Sequence, residues 1–94
     1  MSENLLGRKP IMIDCVEWKE KEELGYIFNE RNGSIYTLNE MALSIWKMCD
    51  GNHTIFDIVS QLVKTFNLKE NDAEDETLKL LNNLIAEGVV RCKE

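Results

Sequence analysis

The chain has 94 residues, of which 44% are apolar and 30% are charged, and its 17 acidic and 11 basic side chains give a net charge of −6. A chain of this length forms one small domain that buries about 60–65% of its unfolded surface, so a deep enclosed active site is not expected. The acidic balance disfavours nucleic acids and anionic membranes as partners, because both attract Lys and Arg. It favours a partner that carries basic residues.

The cysteine and histidine content predicts neither a metal site nor a cofactor. Cys15, Cys49 and Cys92 are an odd number with no close pair, and His53 is the sole histidine. A structural zinc site needs four ligands at short spacings, and these residues do not supply them. Three unpaired thiols, the lack of a signal peptide and the lack of a membrane-length apolar run predict a cytoplasmic protein with no membrane attachment.

The N-terminal part divides into a tail and the start of a domain. Residues 1–9 show no periodicity and predict a flexible tail, so that residues 10–94 form the single domain. Apolar residues alternate over 11–16, directly after Pro10, and predict a first strand. The charged run Lys19–Glu23 predicts a solvated turn or loop.

Two further strands follow. Residues 26–28 are a short apolar run, and Asn32-Gly33 is a strong hairpin signal because both residues tolerate a positive φ. Ser34–Leu38 is then the returning strand. The first forty residues therefore predict a three-stranded antiparallel meander.

The next segment predicts two helices with recognisable caps. Asn39 can cap a first helix, and Gly51 is expected to end it. Thr54 can cap the second helix, with Asp57 three residues later in the spacing of a capping box.

A third helix is expected to begin at Asn71 or Asp72 and to stop at Gly88, with Val89 and Val90 as a short terminal strand or an extended tail. Residues at 100° intervals separate its apolar side chains into two groups. The group expected to pack on the core is Ala73, Thr77, Leu80 and Leu84. The group expected to form a surplus apolar face is Leu78, Leu81 and Ile85.

The element order predicts an α+β domain, a three-stranded antiparallel sheet followed by three helices, similar to a winged helix-turn-helix. The surplus face of the third helix is covered by the sheet, by the terminal tail or by a ligand. Ser34–Leu38 contains no Lys, Pro or bulge signal that would protect an edge strand. If it is an edge, it can accept an extended peptide as a further strand.

A block over 33–62 resembles a known family. Its features are Leu38-Asn39, Ala42, Ile45-Trp46, Asp50-Gly51 and Ile58-Val59 in this order, with a weaker second block of Leu80-Leu81, Leu84 and Gly88. In this order and at this chain length, the pattern is similar to the PqqD-like family, the standalone precursor-peptide recognition elements of ribosomal natural-product (RiPP) pathways. Leu80 departs from the family pattern, in which an aromatic residue is common.

The resemblance implies a non-catalytic peptide chaperone. Such a protein binds the leader of a ribosomally made precursor peptide between the third strand and the third helix. It then presents the peptide to a modifying enzyme, such as a radical S-adenosylmethionine enzyme, a cyclase or a leader protease. The peptide-binding residues implied by position are Ile35, Tyr36, Thr37, Leu38, Leu78, Leu81, Asn82 and Ile85. An exposed edge would allow either a monomer or a strand-exchanged dimer.

Two other functions fit the same predicted architecture. A winged-helix DNA-binding regulator would place the third helix in the major groove, but the stretch from Asn71 to Glu87 has five acidic residues against the single Lys79, and phosphates would repel it. A general protein–protein interaction module would bind a folded domain rather than an extended segment.

Overall fold

A computed structural model describes residues 7–93 of the chain, as five strands and three helices. The strands are β1 (Lys9–Met12), β2 (Val16–Lys21), β3 (Leu24–Asn29), β4 (Ser34–Leu38) and β5 (Val90–Lys93). The helices are α1 (Glu40–Lys47), α2 (Ile55–Phe66) and α3 (Glu70–Ala86). The three helices follow a three-stranded antiparallel sheet, which confirms the predicted α+β class.

The three-stranded sheet has the order β2-β3-β4, so its first strand is not the predicted one. The first strand of the meander is Val16–Lys21, and the prediction that residues 11–16 begin it was wrong. The prediction of a solvated turn or loop over Lys19–Glu23 was wrong for Lys19, Glu20 and Lys21, which belong to β2. Most side chains of β2 are exposed, so it lacks the alternation by which a half-buried strand is recognised.

A two-residue turn makes this pairing possible. Lys21 pairs with Leu24, and the intervening Glu22 and Glu23 have φ values of 54° and 69°. Positive φ at both positions is the backbone of the tightest antiparallel hairpins, in which Asn and Gly are the preferred residues. A Glu-Glu pair therefore gives no sequence signal for the hairpin that it forms.

The strand β1 pairs instead with β5, in a separate two-stranded sheet with Pro10 opposite Cys92 and Met12 opposite Val90. Residues 1–6 of the predicted tail 1–9 lie outside the described residues. Lys9, the last residue of that predicted tail, belongs to β1. Of the two alternatives for the C-terminal segment, a strand or an extended tail, the strand is observed.

The helix caps agree with local signals in two cases. The side chain of Asn39 accepts a hydrogen bond from the backbone N–H of Ala42 at 2.8 Å. Thr54 and Asp57 form both bonds of a capping box at 3.0 Å.

Two predicted helix limits were wrong. The helix α1 ends at Lys47, and Gly51 lies beyond it, where its N–H donates to the carbonyl of Pro10 at 3.0 Å. The helix α3 begins at Glu70, one residue before the earlier of its two predicted starts, and its N-cap Lys69 makes no side-chain cap bond. Without a capping side chain, the start of α3 had no local signal.

The core lies between the three-stranded sheet and the helices, around the fully buried Trp46. The exposed edge strand β2 contributes Trp18, whose ring meets that of Trp46 edge to face at a centroid distance of 6.2 Å. Within residues 7–93, no helix is long and apolar enough to cross a membrane.

The buried stripe of α3 consists of Ala73, Thr77, Leu81 and Leu84. Leu80 was expected in this stripe and Leu81 in the surplus face, so the two neighbouring leucines are exchanged: Leu81 is buried and Leu80 is half-buried. Because successive helical residues differ by about 100°, a small rotation of the helix decides which of them meets the core.

Candidate functional site

The strand β4 is the last in its sheet, and its second edge pairs with no other strand of the described chain, residues 7–93. Its sequence is SIYTL, with no charged residue and no proline. The opposite edge, formed by β2, carries alternating charges in VEWKEK. Charged side chains protect an edge from further pairing. The sheet is therefore protected on one edge and open for pairing on the other.

The register divides the side chains of β4 between the two faces of the sheet. Tyr36 lies opposite the fully buried Ile27, which places Tyr36 and Leu38 on the face that packs against the helices. Leu38 is 4% exposed and belongs to the core. Ile35 and Thr37 point to the outer face, and Ile35 is 67% exposed. A strand added to this edge would contact all four residues through its backbone, but its side chains would alternate between two environments.

The C-terminal end of α3 lies beside β4. The phenol oxygen of Tyr36 donates a hydrogen bond to Oε1 of Glu87 at 2.8 Å. The buried Asn29 on β3 donates from Nδ2 to the backbone carbonyl of Glu87 at 3.4 Å. These two bonds hold the sheet to Glu87, the residue that directly follows α3.

A cavity of about 200 Å³ lies between α1 and α3. Its apolar lining comes from Met41, Ala42, Ile45 and Leu80, and its polar lining from Asn39, Glu76, Lys79 and Asn83. An apolar cavity of about 150 Å³ can hold a benzene molecule, so this volume suits one apolar side chain. Since Asn39 directly follows β4, the cavity lies at the C-terminal end of the open edge.

These contacts define one flank of α3. Glu76, Leu80, Asn83 and Glu87 are four, three and four residues apart and lie within about 60° on the helix, the spacing of one face. We call this set the inner flank. Tyr36 meets its C-terminal end, and the segment that follows β4 meets its N-terminal part. The strand and the helix thus run in opposite directions along a shared groove.

The four predicted α3 residues lie elsewhere on the helix. Leu81 is 2% exposed and belongs to the core. Leu78 and Ile85 lie about 170° around the axis from the centre of the inner flank, and Asn82 lies about 130° from it. Leu78 is half-buried against the core, and Ile85 is 41% exposed. Of the predicted strand residues, Tyr36 contacts the inner flank, whereas Ile35 and Thr37 lie on the outer face and Leu38 lies in the core. The predicted helix residues do not line the groove.

Sequence reasoning missed Leu80, Asn83 and the α1 residues Met41, Ala42 and Ile45 as lining residues. One signal was available: Leu80 was recognised as the position at which the family commonly has an aromatic residue. No sequence signal indicated that α1 lines the cavity, because the spacing of its apolar residues is typical of a helix face that packs on a core.

The buried thiol of Cys49 and the sole histidine, His53, do not line this groove. Burial raises the pKa of the Cys49 thiol to about 12, with smaller contributions from Asp50 and Cys92, so the thiol stays protonated at neutral pH. Nδ1 of His53 lies 3.0 Å from Asp50 in the turn before α2. Burial alone would raise the pKa of Asp50, but hydrogen bonds from Asn52 and His53 outweigh it and lower that pKa. Among residues 7–93, no three His, Cys, Asp or Glu side chains come together as a metal site.

A family model described as "Coenzyme PQQ synthesis protein D (PqqD)" matches residues 25–90. The chain belongs to the PqqD family. The matched region contains β4, all three helices and therefore the whole groove, whereas β1 and β2 precede it.

Two solved structures share the fold of this PqqD-family chain. One is TbiB1 in complex with the TbiA(beta) leader peptide, with a TM-score of 0.80, 14% identity, and coverage of 86% of this chain and 94% of that one. The other is lasso peptide synthetase B1 complexed with the leader peptide, with a TM-score of 0.79, 18% identity, and coverage of 88% and 98%. Among curated proteins, none matches the chain in sequence.

Proposed function

We propose that this PqqD-family protein binds the leader segment of a ribosomally made precursor peptide and presents it to a modifying enzyme. The observation that carries the proposal is the open edge of β4, which lacks protecting charges and lies beside the inner flank of α3 and a cavity with a mixed apolar and polar lining. The two similar structures described above are complexes with leader peptides, which supports the proposal.

The leader would bind as a fourth strand along Ser34–Leu38. Main-chain hydrogen bonds to β4 would set its register, and its side chains would give selectivity. The side chain that reaches the cavity would be apolar and would contact Leu80 and Met41. On α3 we propose Leu80 and Asn83 as direct contacts. Leu81 would support the groove from the core.

The affinity expected from this arrangement is compatible with delivery of the peptide to an enzyme. Two anchoring apolar side chains would contribute about 3–6 kcal/mol, and each net backbone hydrogen bond about 1 kcal/mol. Ordering a flexible peptide opposes binding, so a dissociation constant near the micromolar range is expected. Such a complex can still release its peptide to the enzyme. We propose that a partner such as a radical S-adenosylmethionine enzyme, a cyclase or a leader protease carries out the chemistry, and that this protein does not.

The DNA-binding alternative is disfavoured by the surface of α3. Asp72, Asp75, Glu76 and Glu87 are exposed on or next to this helix, and Lys79 is the one basic residue within it. A recognition helix with this charge would be repelled by phosphates.

Calorimetric titration tests the proposal. The titrant is the N-terminal leader of the short precursor peptide encoded beside this protein, with a scrambled leader and a random DNA duplex as controls. Saturable one-to-one binding of the true leader alone is the expected result. Binding of the duplex without the leader would favour a regulator, and no binding of either would favour a module for a folded partner. Sedimentation before and after titration would show whether a strand-exchanged dimer competes for the edge.

A further inference from the structure

The outer face of the three-stranded sheet carries apolar side chains in register with the open edge. Glu17, Phe28 and Ile35 form one row across β2, β3 and β4, and Tyr26 lies in the neighbouring row beside Thr37. A shallow cavity of about 520 Å³ covers the first row and extends over Tyr26. The outer face is therefore not a uniformly polar, solvated surface.

Between the two apolar residues of the first row, exposure increases toward the open edge. Phe28, in the central strand, is 39% exposed, and Ile35, at the edge, is 67% exposed. Phe28 has a neighbour on each side, whereas beyond Ile35 the described chain provides none. Side chains opposite each other on neighbouring strands have Cβ atoms about 5 Å apart, so an added strand would place one side chain directly beside Ile35.

We propose that the bound leader carries an aliphatic or aromatic residue at the position facing Ile35, so that the leader is recognised on both of its faces. This inference rests on the proposed function. The two residues flanking that position would point inward, toward Tyr36 and the inner flank of α3. The residue two positions away on the outer face would lie beside Thr37, where a β-branched or hydroxyl side chain pairs well. Ile35 is thus a specificity-determining residue.

A bound leader strand and a folded partner on the sheet would depend on different residues of this row. A folded partner would centre on the widest apolar area, around Phe28 and Tyr26, and would depend on Phe28 most. A strand along β4 would contact Ile35 directly, whereas Phe28 would lie one strand further away from it. The relative effects of substituting these two residues therefore separate the two occupants.

The test combines two variants with a serine scan of the leader. Ile35→Thr removes apolar surface but keeps a β-branched residue suited to a strand, and Phe28→Thr is the matched control one strand inward. Urea melts of both variants establish that each folds cooperatively before its binding is compared. Leader binding to Ile35→Thr should weaken about fivefold, with a smaller effect in Phe28→Thr. One leader position should lose its sensitivity to serine in the Ile35→Thr background, while the adjacent inward positions keep theirs.

The alternative results are distinct. If the unsubstituted protein binds the leader but Ile35→Thr binds it within twofold, the inference fails and the proposed function stands. If Phe28→Thr loses binding while Ile35→Thr does not, the sheet face itself is the contact and the inference also fails. If the unsubstituted protein does not bind the leader, the proposed function fails and the inference with it.

Discussion

Replacing Leu80 by Glu should weaken leader binding strongly, whereas replacing Ile85 by Glu should not. Both residues are apolar and lie on α3, and neither is fully buried. They differ in position: Leu80 lines the cavity beside the open edge, and Ile85 lies on the far side of the helix from the inner flank. The pair therefore tests which side of α3 the peptide contacts.

The expected size of the effect follows from the cavity. Burying one apolar side chain there contributes about 1.5–3 kcal/mol. A carboxylate in the same place removes this contribution, so the dissociation constant should rise roughly 10- to 100-fold. Since neither residue is in the fully buried stripe, each substitution should cost about 1 kcal/mol of folding stability and leave the domain folded.

Calorimetric titration with the leader gives the affinity, and urea melts of the same samples give the free energy of unfolding. Unchanged binding by Leu80→Glu would refute the assignment of the inner flank. Loss of binding by Ile85→Glu in a stably folded protein would show instead that the leader contacts the opposite flank, with Leu78. If either variant unfolds without cooperativity, Leu80→Ser and Ile85→Ser replace them and the same comparison applies.

Two further predictions concern stability. Glu23→Gly should raise the free energy of unfolding by about 0.5–1 kcal/mol, because Gly adopts the positive φ at this turn without strain. Glu23→Ala is the control, and an equal gain in stability for that variant would contradict the reasoning. Cys49 has a pKa raised from 9.0 to about 12 in the folded state, so its contribution to stability is fully present below pH 9 and lost as pH rises toward 12. The free energy of unfolding, measured by urea melts between pH 8 and 11, should therefore fall with pH less steeply for Cys49→Ala than for the unsubstituted protein. The difference in slope should be about 1.4 kcal/mol per pH unit above pH 9. Equal slopes in the two proteins would contradict this prediction.

Local chemistry explains which parts of the fold were predictable. The caps at Asn39 and Thr54 depend on side chains that bond to backbone groups three residues away, so short sequence spacings predict them. Gly33 has the expected positive φ in the turn before β4. The α+β class follows from such signals in order, together with the periodicity of the helices.

The errors occurred where a distant contact decides the structure. The strand β1 alternates as a meander strand would, but its partner is β5, some eighty residues further along the chain. The charged strand β2 forms because it pairs with β3 across a strained turn, which no local preference favours. Periodicity alone does not identify the partner of a strand.

The sequence by itself determined the acidic balance, the helix caps, the strand SIYTL without protecting charges and the family that the chain belongs to. Only the tertiary structure decided that this strand is the open edge of its sheet. It also decided that α3 turns Leu81 to the core and Leu80 to the groove. The reason is physical: a helical pattern defines which residues share a face, but the direction of that face depends on how the helix packs against the rest of the chain.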